Sequence, residues 1–186
     1  MRMAGNINLT IDTRLSAAVS DNPFLLLLLD HFGIELPLQE KTIGEVAVEN
    51  QVNPELLLTF ANLYSDLHHG LTAPFSNDDI TLIIRFLRNS HRYYSGEIYP
   101  AILEIIGQMD QSGSRQETAM VEKFFNEYFN EVKAHLDYEE EIVFPYIINL
   151  HDRLTGKAGS GEISSYSVAE YREHHDDIEE KLDDLR

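Results

Sequence analysis

The 186-residue chain contains no cysteine. That excludes disulfides, thiolate metal ligands and cysteine chemistry, and leaves histidine and carboxylates as the strong side-chain ligands. Positive charge is scarce as well: 14 Lys and Arg face 32 Asp and Glu, for a formal charge of -18. A field of that sign repels nucleic-acid phosphate and anionic membrane surfaces, so neither is expected as a partner. The apolar run Phe24 to Leu29 has only six residues, against the roughly 18 of a spanning helix. Because a polar stretch through Thr13 precedes any apolar run, no signal peptide is expected either. The expectation is a soluble, cytoplasmic protein.

What is present argues for folding. Hydrophobic residues make up 43% of the chain, with nine Tyr and nine Phe, enough to bury a core in one ordinary domain or two small ones. Asp21-Asn22-Pro23 reads as a helix start, and the run through Phe32 as a short buried helix ending near Gly33. Thr42-Ile43-Gly44-Glu45 has the form of a capping box. Asn53-Pro54-Glu55 combines an N-cap residue with proline at the first helical position, and launches Leu56 to Leu67. These helices predict a small N-terminal helical domain over residues 1–69, followed by a linker at 70–74.

From Asn77 or Asp78 the pattern turns to long helices. Ile80, Ile84, Leu87, Tyr94, Ile98, Ile102, Ile105 and Met109 recur at spacings of three and four, with His91 in the same register. Pro100 falls inside this stretch without stopping the periodicity, and Ser112-Gly113-Ser114 supplies a turn. A second helix is expected from about Gln116 to Leu150, with the stripe Val121, Phe124, Tyr128, Val132, His135, Glu139, Ile142, Tyr146 and Asn149. After a loop at 155–161, Ser164-Ser165 can cap a last helix that carries Val168, Tyr171, Ile178, Leu182 and Leu185 on one face. The chain ends within that helix with no stop signal. The expected fold is therefore all-α: the small helical domain, then an up-down bundle over 78–186 that lacks its fourth helix, whether as a fragment or with a helical partner or second copy over the exposed groove.

His135 and Glu139 stand one helical turn apart, so both side chains reach the same side of the second helix. An ordinary exposed helix pair has the same spacing. Its position in an apolar stripe argues otherwise, because a buried carboxylate needs a metal, a hydrogen-bonding partner or a raised pKa. His91, in the stripe of a different helix, is a further candidate. Glu173-His174-His175-Asp176 offers another, and periodicity slightly favours His175 over His174 as the inward ring. His31 and the pair His68-His69 are separate histidines, the latter read as a polar helix end.

His135-x-x-x-Glu139-Glu140-x-x-x-Phe144-Pro145 resembles the second-helix motif of hemerythrin-like proteins, in particular the bacterial repair-of-iron-centres group. Ile80 to Pro100 resembles that group's first bundle helix and Glu173-His174 the Glu-His of its third, so the likeness covers about residues 78 to 186. Phe32-Gly33-Ile34 and the segment Lys41 to Leu57 follow the layout of its N-terminal domain. The Cys-Cys pair common there is replaced by Glu35-Leu36-Pro37-Leu38, which removes any thiol-dependent role. The resemblance implies a non-haem di-iron centre with His91, His135 and His174 as terminal ligands and Glu139 as bridging carboxylate. The family's fourth-helix His-x-x-x-Glu has no counterpart, so the iron centre is expected to be incomplete or absent in the chain as it stands. Mn, Zn and Ni accept the same donor types.

The function so implied belongs to nitrosative or oxidative stress: repair of iron-sulfur clusters, with an iron-sulfur protein as client, or reduction of nitric oxide. Two other classes compete with it, and the residues leave enzyme and non-enzyme open. One is a sensor or carrier of oxygen or nitric oxide without turnover. The other is a metal-free helical interaction module. Tyr94, Tyr138 and Tyr146 are expected chiefly to pack, with their hydroxyls on nearby polar groups.

Overall fold

The computed structural model describes residues 8–36, 40–65, 76–109, 115–157, 167 and 169–171. Among them every regular element is helical, joined by one isolated bridge between Arg14 and Thr42. The chain divides into two compact units, Met1–Asn89 and Ser90–Arg186. The linker expected at 70–74, His68 and His69, the turn at 112–114, the loop beyond Lys157 and Glu173, His174 and His175 lie outside the described residues. So does the chain end on which the absent fourth helix is argued.

In the first unit, short helices are held by local chemistry at their ends. Helix α1 (Leu15–Asp21) is not foreshadowed by the sequence, because no side chain caps it. Its start is fixed from a distance: the Leu15 N–H donates to the Lys41 carbonyl at 3.0 Å, beside the bridge. Helix α2 (Leu25–Phe32) ends as expected at Gly33, whose φ of 71° lies in the left-handed region that glycine adopts without a Cβ penalty. Helix α3 (Ile43–Glu49) opens on the full Thr42–Glu45 capping box, and α4 (Pro54–Tyr64) on the Asn53 cap with Pro54 behind it. Each such cap satisfies backbone donors that no helical carbonyl can reach, and is worth about 1 kcal/mol.

Ser76 and Asp79 then cap the 3-10 turn Asn77–Asp79 that leads into α5 (Ile80–Tyr93). The Asp79 carboxylate is buried and accepts the Asn53 amide on both oxygens at 3.0 Å, together with the Ser76 N–H at 2.8 Å. The core of this unit holds Leu25, Leu28, Leu29, Ile43 and Leu57, and the rings of Phe32, Phe60 and Phe86 meet pairwise at 4.8 to 5.4 Å. Burying the Phe32 and Phe86 rings stabilises the fold by about 1.5–3 kcal/mol each, and the partly buried Phe60 adds less.

In the second unit both long helices are interrupted by a π turn. α5 passes through Tyr94–Ile98 into α6 (Tyr99–Met109), and α7 (Arg115–Tyr138) passes through Glu139–Val143 into α8 (Phe144–Leu154). In each turn the closing N–H reaches five residues back, from Tyr99 to the Tyr94 carbonyl and from Phe144 to the Glu139 carbonyl. Two prolines account for the placement. A proline ring lacks the N–H and collides with the carbonyl four residues earlier. For Pro100 and Pro145 those carbonyls belong to Gly96 and Glu141, both inside the π turns, where the wider winding makes room.

The extra residue moves the buried face on by one position. Ile106 is 5% exposed while the expected Ile105 is 58% exposed, and Val143 is 4% exposed while the expected Ile142 is 42% exposed. The expected stripes are corrected accordingly. Met109, Val121 and Phe124 also face outward, and the buried positions of α7 are Thr118 and Phe129. Phe129 is held by stacking: its centroid lies 3.3 Å from that of Tyr99 and 6.0 Å from that of Tyr94. Burial, with Tyr128 alongside, pushes the Tyr94 hydroxyl up to about 12. Tyr94 thus packs, as expected of it.

Candidate functional site

The π turn of the second long helix places two consecutive carboxylates, Glu139 and Glu140, against one imidazole. His91, in the last turn of α5, sets Nε2 3.2 Å from Glu139 Oε2 and Nδ1 3.2 Å from Glu140 Oε1. Its ring stacks on Phe144, the first residue beyond the turn, at 5.6 Å and 20°. His135, one helical turn before Glu139, places Nε2 3.6 Å from Glu139 Oε1. The Tyr171 hydroxyl donates to that same oxygen at 3.2 Å.

Glu139 is therefore a hub with a different histidine on each oxygen. Its side chain and that of His91 are nearly buried, and that of His135 is largely so. Burial raises the Glu139 carboxyl, but the hydrogen bond from His91, the charges of His135 and His91 and the Tyr171 hydroxyl together outweigh it. The net shift is downward, toward the carboxylate. Tyr171 moves the other way: burial first, then the charge and hydrogen bond of Glu139, push its hydroxyl up.

Of the four residues implied as metal ligands, the structure brings His91, His135 and Glu139 together, and His174 lies outside the described residues. The donors are nitrogen and oxygen, as non-haem iron, manganese or zinc accept. Donors bound about 2.1 Å from one such ion stand roughly 3.0–3.4 Å apart, near the 3.2 and 3.6 Å separations found here. Yet among the described residues no group of three or more His, Asp or Glu is arranged to hold a metal ion. His91 and His135 reach different oxygens of Glu139, each forming its own pair with the carboxylate.

Two members of the cluster have no assigned role in the sequence reading. Glu140 belongs to the motif, but regular helical periodicity turns it about 100° away from Glu139. Tyr171 is placed by Ser167, which forms a capping box with Glu170: the Ser167 N–H donates to the Glu170 carboxylate at 2.6 Å and the Glu170 N–H to Ser167 Oγ at 3.3 Å. The pattern Ser167-x-x-Glu170 was the available signal. His31, in the first unit, is a core residue set edge-on to Phe86 at 5.2 Å. Burial lowers its pKa despite the neighbouring Asp30 charge.

No protein-family model matches the chain. No curated protein matches it. No solved structure matches it.

Proposed function

We propose that the second unit is a binding module that takes up a transition metal, with iron the metal suggested by the hemerythrin resemblance, and acts as a sensor or carrier of oxygen or nitric oxide without turnover. The observation that carries this reading is the Glu139 carboxylate, nearly buried and shared by histidines from two helices. Burying such a group is costly unless charge or coordination compensates it. When bound, iron supplies a position for a diatomic ligand and a redox couple. The chain's own residues hold and surround it. His91 and His135 offer imidazole nitrogens, Glu139 offers a carboxylate, Tyr171 steadies one carboxylate oxygen, and Phe144 covers the His91 ring. A di-iron centre serving iron-sulfur repair or nitric oxide reduction extends this proposal, and requires His174 with ligands beyond the described residues.

The pairwise contacts favour a second reading. Because His91 and His135 already meet the Glu139 charge, the cluster is also self-sufficient as a buried polar network in a metal-free helical interaction module. Anaerobic titration of the whole chain with Fe(II), with iron counting and optical spectra, separates the two. Binding that is lost in His135→Ala and Glu139→Ala supports the metal reading. Folded protein that takes up no iron rules it out in favour of the interaction module. Consumption of nitric oxide in the presence of an electron donor would make the protein an enzyme instead of a carrier.

A further inference from the structure

Resting on the metal-binding reading, we propose that Glu140 is the positioning residue of His91: it holds Nδ1 and so commits Nε2 to the Glu139 side of the site. An imidazole can flip about its Cβ–Cγ bond, exchanging each nitrogen with a ring carbon. Stacking on Phe144 at 5.6 Å and 20° restrains the ring's tilt, but a flat aromatic face does not distinguish the two flipped states. The two carboxylates do. With Nδ1 3.2 Å from Glu140 Oε1 and Nε2 3.2 Å from Glu139 Oε2, a flip exchanges both polar contacts for contacts with carbon.

Glu140 stands beside Glu139 at the start of the π turn. Consecutive side chains on a regular helix diverge by about 100°. Here both carboxylates lie within the turn Glu139–Val143 and meet the two nitrogens of one ring. The division of labour follows from exposure. Glu139 is 12% exposed and shared with His135 and Tyr171, whereas Glu140 is 34% exposed and lies at the outer edge. A carboxylate that accepts the second N–H of a metal-binding histidine fixes its tautomer and orientation, and its removal typically lowers metal affinity about 10–100-fold.

The test compares the whole chain with Glu140→Ala and Glu140→Gln, using Co(II) as the probe and imidazole 15N spectra of the metal-free protein at one pH. Glu140→Ala should weaken Co(II) by about 10–100-fold and abolish the protected His91 Nδ1–H signal, without a change in melting temperature. Glu140→Gln, whose amide oxygen still accepts that hydrogen bond, should restore the signal and most of the affinity. A ligand role for Glu140 predicts no rescue by glutamine, so equal weakening in both variants overturns the proposal, as does an Nδ1–H signal unmoved by alanine. If the unaltered chain takes up no Co(II), the metal-binding function fails, and the spectra of the metal-free proteins alone decide for or against Glu140.

Discussion

Pro100 and Pro145 occupy the same place in two different helices: each is the second residue after a π turn, with the carbonyl it would strike lying inside that turn. The consequence reaches the core. Each turn advances the inward face by one residue, and each stands next to a residue of the histidine–glutamate cluster, His91 before the first and Glu139 at the start of the second.

The register shift predicts opposite outcomes for two nearby apolar residues. Phe144→Ala should destabilise the second unit by about 3–5 kcal/mol, the usual cost of removing a buried ring. Ile142→Ala, at an outward position, should stay within about 0.5 kcal/mol. Urea unfolding of the two variants, followed by far-ultraviolet circular dichroism, measures both. Equal losses would mean that the face does not shift at the turn.

The contact between Asn53 and Asp79 ties the cap of α4 to the capped turn that leads into α5. Asn53→Ala removes both the bond to the Glu55 N–H and the amide on the buried carboxylate. A loss of about 1–3 kcal/mol is expected. In a double-mutant cycle with Asp79→Ala the two losses should fall short of additive, since the residues share one interaction. Strict additivity would remove the link.

His31 makes the stability of the first unit depend on pH. Burial holds its folded pKa below the ordinary histidine value of about 6.5, so at mildly acidic pH the unfolded chain binds the proton and the folded one does not. Its contribution is present above about pH 6.5 and is lost as pH falls through the folded pKa. The stability measured at pH 7 should exceed that at pH 5, and His31→Leu should reduce the difference. An unchanged pH dependence in the variant would exclude His31 as its source.

The parts of the fold legible in the sequence are those written in neighbouring residues. Thr42 with Glu45, Asn53 with Pro54, and Gly33 after Phe32 act within one turn of chain, and the structure uses each as the residues predict. Helix α1 was not legible, because its first donor is satisfied by Lys41, distant in sequence. Ile105 and Ile142 face outward against the expected stripes because a constant period of 3.6 residues cannot anticipate an inserted one. Pro100 and Pro145 are the sequence signals of the two turns.

The sequence by itself determined the strong ligands open to the site: without cysteine these are histidine and carboxylates, and the His135–Glu139 spacing sets one helix's contribution. Only the tertiary structure decided which groups meet. Glu140 joins the cluster through His91 of another helix, and Tyr171 because its hydroxyl crosses to Glu139. Spacing along a helix follows from local backbone geometry, whereas the partner of a buried carboxylate is set by which distant segments the packed chain brings within hydrogen-bond reach.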